Sequence, residues 1–288
     1  MATDSATTML RVEGRDARAL LHRISTNFLA DLEPGHARAT LFCDFRGRLL
    51  HRAVVCAASD GALWLVRDDA PGAPLAKFVD RHVFREDVRV SDLSDSWRVD
   101  RAAPVETMSP CAATERDGVP VAIQLEDAAW LVHPASQGAG VSPEQRLEHE
   151  RARVHAGHAA HGHEIVDEFT PFEVGLDREV HLDKGCYTGQ EALLRMVTYR
   201  SIRRRLARIE DRDRVPPSPR DILRAGQRVG RLTSVAAASG EPGRWIGLAV
   251  LKTDVEAADD LEIDGAAVER PLFFPPGRPL GWPHEVRP

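Results

Sequence analysis

Apolar and polar positions follow two rhythms along this chain, and the rhythm changes near residue 200. Residues 9–13 (Met9-Leu10-Arg11-Val12-Glu13) alternate as a short strand that stops at Gly14. Asp16 then stands where an N-cap belongs, and Leu20, Leu21, Ile24 and Phe28 recur at helical spacing. That spacing predicts an amphipathic helix over residues 17–32, ended by Pro34-Gly35. Ser25-Thr26-Asn27 lie beside the apolar stripe and read as the solvated face of that helix. Residues 40–45 and 49–57 are expected strands joined by a turn at Arg46-Gly47, and 63–66 is another strand. Residues 75–83 carry Leu75, Phe78, Val79 and His82 on one side and predict a second helix; 88–93 and 97–99 return to strand. This order of elements indicates an α+β unit, ferredoxin-like or related.

Further along, 104–120 is expected to be a loop-rich connection, and 119–125 with 129–133 a hairpin. Residues 136–143 read as a linker, and Pro143 suits the first turn of a helix to about residue 156. That helix is rich in Glu and Arg and is expected to present a solvated face. From residue 201 the helical rhythm stops. Short strands at 206–209, 228–235, 246–251 and 261–263 predict a small all-β barrel, and the proline-rich end from Phe273 an extended tail.

Composition narrows the class without choosing a function. The chain has 288 residues, 43% hydrophobic and 28% charged, enough to bury a sizeable core. A net charge of -6 excludes bulk attraction to nucleic acid or an anionic membrane as the organising property. The N-terminal octapeptide is short and polar, with no signal-peptide core, and no apolar run is long enough to span a membrane. Cys43, Cys56, Cys111 and Cys186 form no Cys-x-x-Cys pair and match no zinc or iron–sulfur spacing, which indicates free thiols and a cytoplasmic protein.

His149, His155, His158, His161 and His163 crowd one segment, but Gly157 and Gly162 break any helix that could aim them together, so no metal site is assigned. Asp167 and Glu168 precede a proline turn. Such a pair can accept two hydrogen bonds from an amide-like or guanidine-like edge, or it is an acidic surface turn.

The densest chemistry is Lys184-Gly185-Cys186-Tyr187-Thr188-Gly189-Gln190-Glu191. Two glycines mark turns, and the residues from Gln190 to Met196 read as a helix whose free N–H groups would favour an anion. Cys186 beside Lys184 and close to that helix start is placed for a reactive thiolate; equally, it is one small residue of a polar loop.

The octapeptide, followed by Arg195, resembles the signature of the YgfZ family of folate-binding proteins, relatives of the glycine cleavage T-protein. The resemblance extends over most of the chain: residues 12–17 with the 20–32 helix and Gly35, the 42–51 hairpin, 153–171, 230–234 and 246–249. It implies a GcvT/YgfZ-like α+β fold, a ring of ferredoxin-like subdomains around a channel with a C-terminal β-barrel. The implied division is a folate-binding region at 1–200, with interleaved subdomains of about 1–135 and 136–200, and a barrel and tail at 201–288.

The implied ligand is tetrahydrofolate or a derivative, with Asp167, Glu168, Gln190, Glu191 and Arg195 toward the folate. The implied role is support of iron–sulfur proteins, including tRNA-thiomethylating radical enzymes. Cys186 is then the working group of an exposed loop, and Lys184 and Tyr187 tune and position it. Arg195 contacts an anion or braces the loop.

One departure stands out. Aminomethyltransferases carry paired aspartates where this chain has Leu50 and His51, so the acid–base group needed at the folate nitrogens is missing. Three readings follow: a folate-binding accessory protein that is not a conventional enzyme, a folate-dependent aminomethyltransferase or demethylase, and a binding module whose signature loop is only a turn.

Overall fold

The computed structural model describes residues 7–102, 107–125, 129–137, 142–212, 216–238 and 243–282. Part of the expected linker (138–141), the first residues of the expected loop-rich connection, the six residues before Thr7 and the end of the tail lie outside them. The chain packs as two compact units. One holds residues 1–45, 50–140 and 179–190, the other 46–49, 141–178 and 191–288. The segment 141–178 thus groups with the C-terminal strands.

The first unit opens with β1 (Thr8–Glu13) and α1 (Ala17–Ile24), followed by β2 (Ala37–Cys43), β3 (Leu49–Ala57), β4 (Leu63–Arg67), α2 (Gly72–Asp80) and β5 (Arg89–Asp92). These strands form one sheet in the order β2-β3-β4-β1-β5, with β1 antiparallel to both β4 and β5, and β3 to β4. A second sheet is built from β6 (Trp97–Ala102), β7 (Ala113–Arg116), β8 (Val119–Gln124) and β9 (Ala129–Pro134), ordered β6-β9-β8-β7.

The central strands are apolar on both faces because both are covered. Leu10, Val12, Val55, Leu63 and Leu65 pack with Leu20, Leu21, Phe78 and Val79 of the two helices. Their neighbours Met9, Val54, Cys56, Trp64 and Val66 pack with Val99, Ile123, Trp130 and Val132 of the second sheet. Alternation of side chains across a strand sends successive residues into different cores. Each large apolar side chain buried this way contributes roughly 1.5–3 kcal/mol.

Two helices are shorter or shifted relative to the sequence pattern. α1 stops at Ile24 instead of running to residue 32, because polar side chains take over its backbone groups. Ser25 Oγ donates to Leu21 O at 2.7 Å, Asn27 Oδ1 accepts from Phe28 N–H at 2.8 Å, and Thr40 Oγ1 accepts from Asn27 N–H at 3.0 Å. Such local bonds compete with helix continuation. Ser25, Thr26 and Asn27 are therefore buried, not a solvated face. Asp16 does not cap α1; its carboxylate accepts instead from Asp87 N–H at 2.9 Å. α2 begins three residues earlier than expected, since Pro74 is tolerated in a first turn, and ends at Asp80.

The second unit contains α3 (Pro143–Ala156) and a seven-stranded sheet: β10 (Arg204–Asp211), β11 (Arg220–Arg224), β12 (Gln227–Ala237), β13 (Trp245–Lys252), β14 (Leu261–Ile263), β15 (Ala266–Val268) and β16 (Leu272–Phe273). Their order, β15-β14-β11-β12-β13-β10-β16, leaves two edges, so the expected barrel is a curled half-barrel. A further helix, α4, covers Gln190–Thr198.

Strands β7, β11 and β15 were not expected from apolar patterning. Each is joined to a neighbour by two residues of positive φ: Asp117-Gly118, Ala225-Gly226 and Asp264-Gly265. Two left-handed residues make the tight hairpin turn whose twist matches the strands.

α3 starts with a capping box between Ser142 and Gln145 and ends at left-handed Gly157. It is anchored by a buried charge network. Glu164, fully buried, accepts from Arg153 Nη1 at 3.1 Å, Ala160 N–H at 3.1 Å, Ser234 Oγ at 2.7 Å and the Thr233 hydroxyl.

The tail is partly a strap across this unit. β16 pairs with β10, Arg205 lies 3.5 Å over the Phe273 ring, and Gly277 rests against the buried Asp177. Burial pushes the Asp177 carboxyl up to about 6, and its Oδ2 has no hydrogen-bond partner among the described residues. A carboxyl raised above its unfolded value of about 3.9 stabilises only while protonated, so its contribution is full below that value and lost as pH rises through 6. Asp177→Asn is expected to flatten this loss and raise the urea midpoint at pH 7. Equal pH dependence of the two proteins between pH 4 and 7 would contradict the assignment.

Candidate functional site

The signature segment enters the site through Lys184, which is 6% exposed despite its charge. Its ammonium donates to His22 O and Asn27 O, each at 2.5 Å, where α1 ends and the buried polar turn begins. In return His22 Nε2 meets Lys184 O at 3.1 Å, and its Nδ1 accepts from Leu29 N–H at 3.1 Å. An Nδ1 that accepts leaves the proton on Nε2, so His22 is the neutral donor tautomer. Burial, then the Lys184 charge, lowers its pKa. Burial likewise drives Lys184 down to about 7.

Around this clamp, His181 N–H donates to Thr26 O at 2.9 Å and Thr26 Oγ1 to Glu179 O at 2.7 Å. Arg52 holds the Glu179 carboxylate at 2.7–3.0 Å. Sequence reasoning passed over His22 and Asn27. Their signal was present, in polar residues interrupting an apolar stripe, but helical periodicity outweighed it.

Lys184 is thus turned inward, and Gly185 and Cys186 after it face outward. Gly185 and Gly189 adopt φ of +93° and +85°, which only glycine takes easily. Cys186 between them is exposed. Tyr187 is buried, its ring 5.2 Å from the Lys184 ammonium. Burial, then the nearby Cys43 thiol, raises its pKa, and its hydroxyl has no hydrogen-bond partner among the described residues. Gln190 Nε2 donates to Leu182 O at 3.0 Å, closing the loop on itself.

Cys186, Tyr187 and Thr188 line an open cleft of about 480 Å³ with Arg23, Ile24, His82, Phe84 and Glu86. Cys43 and Cys56 are buried, and burial raises both thiols; Cys111 is exposed.

The positions of the missing aspartates are also in the first unit. Leu50 packs against the helix-side core. His51 stacks edge-on against Phe78 and meets Arg67 Nη1 through Nδ1 at 3.4 Å. Because guanidinium only donates, this Nδ1 is an acceptor.

In the second unit Asp167 is exposed, whereas Glu168 is half-buried among arginines. Arg231 pairs with its carboxylate directly, and Arg204 and Arg228 approach to 3.6 Å each. Glu191 and Arg195 form an i,i+4 pair at 2.5 Å, both largely exposed, worth about 0.3–0.5 kcal/mol. Among the described residues no group of three or more His, Cys, Asp or Glu is placed to share a metal, and no helix is long and apolar enough to cross a membrane.

Residues 4–99 match the GCVT N-terminal domain family. An aminomethyltransferase of Thermotoga maritima is 25% identical over 88% of this chain and 78% of its own length. Residues 4–99 are thus similar to the N-terminal domain of that family. A chloroplastic protein of Arabidopsis thaliana, named as a transferase, is 33% identical over 39% of this chain; the match spans only 26% of that protein. The crystal structure of the glycine cleavage system aminomethyltransferase T from Bartonella henselae shares this GcvT-like fold. Its TM-score is 0.75 at 15% identity, over 93% of this chain and 82% of that one.

Lys184 supplies a direct test of the clamp. Its folded value of about 7 lies below the unfolded value of about 10.4, so between them the unfolded chain binds more protons and stability rises with pH. That contribution is lost as pH falls through 7. Lys184→Met is expected to abolish the rise in urea midpoint between pH 7 and 10; retention of the wild-type slope would place the titration elsewhere.

Proposed function

We propose that this chain is a tetrahydrofolate-binding accessory protein that supports assembly or repair of iron–sulfur enzymes, tRNA-thiomethylating radical enzymes among them. The carrying observation is the division of labour within one short loop: Lys184 is spent on anchoring, and Cys186 is held out between two left-handed glycines. A thiol displayed this way is free to meet a partner. One thiolate completes a cluster only together with other ligands, which suits a transient role.

The GcvT-like fold and the aminomethyltransferase relatives support a folate derivative as the ligand. In this reading Asp167 offers the unspent carboxylate to the pterin edge, while Glu168, already gripped by Arg231, orients it. Gln190, Glu191 and Arg195 complete the folate-side set. Lys184 and Tyr187 hold the working loop in place.

Aminomethyl transfer is the second folate-dependent reading, and the side chains at 50 and 51 weigh against it. Leu50 carries no proton and belongs to a core, and the Nδ1 of His51 is turned to Arg67.

Calorimetric titration with tetrahydrofolate and with folinic acid is expected to show binding that an Asp167→Ala, Glu168→Ala double variant weakens at least about tenfold. A wild type that binds neither would remove the folate half of the proposal. Cys186→Ala is expected to leave Tm unchanged and to fail in restoring iron–sulfur enzyme activity to a deletion strain. Full restoration would sink the role of the loop, and turnover of an aminomethyl donor with tetrahydrofolate would transfer the case to the second reading.

A further inference from the structure

The proline-rich end of the chain is held on the second unit by few bonds. β16 pairs antiparallel with β10, Phe273 opposite Ala207 and Leu272 opposite Arg208, and Phe274 N–H donates to Leu206 O at 3.2 Å. The Phe273 ring lies under the Arg205 guanidinium. The Phe274 ring covers Gly157, the left-handed residue that ends α3, so closely that a Cβ there would clash with it. Pro275 and Pro276 follow. They have no N–H to add to the ladder, and their fixed φ makes a stiff link from Phe274 to Gly277.

Gly277 rests on Asp177. A Cβ at position 277 would lie 2.8 Å from Asp177 Cβ and 2.9 Å from Oδ2. Asp177 is 4% exposed, and its Oδ2 has no hydrogen-bond partner among the described residues. Only two N–H groups, its own and that of Gly277, favour its charged form, and burial outweighs them. The charged groups on the elements around it bring no compensation. Glu173, in the turn before it, is held by Arg204, and Glu179, in its own turn, by Arg52. Arg278 of the tail is exposed. Neither these nor its chain neighbour Arg178 shifts the Asp177 carboxyl. A buried carboxyl with one bare oxygen is tolerated when neutral and costly when ionised. Gly277 is itself exposed, so lifting it is a short way for water to reach Oδ2.

We propose that residues 272–277 form a releasable strap, latched over Asp177 while its carboxyl is protonated and let go when it ionises. The proton passes to solvent, and water replaces Gly277 at the carboxylate. Release uncovers the backbone edge of β10 and the C-terminal turn of α3. A carboxyl raised above its ordinary value holds the latch fully below that value and loses it as pH rises through the latched one. The latched group titrates at about 6 and a freed one at about 3.9, so the ratio of open to latched strap grows about tenfold between pH 5 and 7. The device lies within the second unit and depends on neither folate nor the Cys186 loop.

The test is hydrogen exchange of single amides by NMR in the full chain, each rate divided by its intrinsic rate at the same pH. Phe274 and Gly277 N–H are expected to exchange through a local opening that low urea does not promote, with protection falling about tenfold between pH 5 and 7. Asp177→Asn keeps the shape without the charge and is expected to remove that fall. Gly277→Ala pushes the strap off Asp177 and is expected to lower its protection at pH 5 while leaving the amides of β13 unchanged. Strap amides that exchange only with the amides of β13, in step with urea, overturn the proposal, because the strap then opens only when the whole unit does. A tenfold fall that survives in Asp177→Asn, or full strap protection in Gly277→Ala, overturns it as well.

Discussion

One buried ammonium organises the first unit. Lys184 reaches across more than 150 residues of sequence to the carbonyls of His22 and Asn27. Taking a lone cation out of water costs several kcal/mol, and backbone dipoles return only part of it. The strain shows as a pKa near 7. What the clamp secures is geometry. α1 cannot continue past Ile24 once its His22 carbonyl serves a side chain from another segment, and the loop behind Lys184 cannot wander. The exposed position of Cys186 is a consequence of where its neighbour is buried.

Arginine does comparable work throughout the chain, spent in charge-assisted pairs within each unit. Arg52 grips Glu179 beside the clamp, Arg153 neutralises the fully buried Glu164, and Arg204 joins Glu173 and the Glu168 region. A guanidinium satisfies several acceptors in one plane, so it suits such junctions better than lysine. Glu168 is a carboxylate that looks available from its neighbours in sequence and is already engaged. At His51 the same economy operates, with Arg67 claiming a ring nitrogen.

Most of the elements were legible in the sequence because period and punctuation agreed. Pro143 predicted α3 to the residue at its start, and the β2–β3 turn at Arg46-Gly47 lies where the glycine stands. Apart from the two-residue β16 at the start of the expected tail, the strands missed were those whose apolar pattern is weak: β7, β11 and β15. Their evidence was in the turns, Asp117-Gly118 and Asp264-Gly265, which specify hairpins through backbone conformation and not through hydrophobicity. The over-long α1 failed for the opposite reason. Its periodicity continued past the point where buried Ser25, Thr26 and Asn27 claimed the backbone.

By itself the sequence determined the α+β character and the change to an all-β pattern after residue 200, because these depend on local period, and it singled out the dense polar run from Lys184 to Glu191. It could not determine which way each polar side chain of that run faces. Lys184 and Cys186 are two positions apart and look alike as loop residues, yet one is buried and the other exposed. That choice is made by groups distant in the chain, the carbonyls at the end of α1 and in the turn after it. Only folding brings those groups to the loop, so only the tertiary structure decided it.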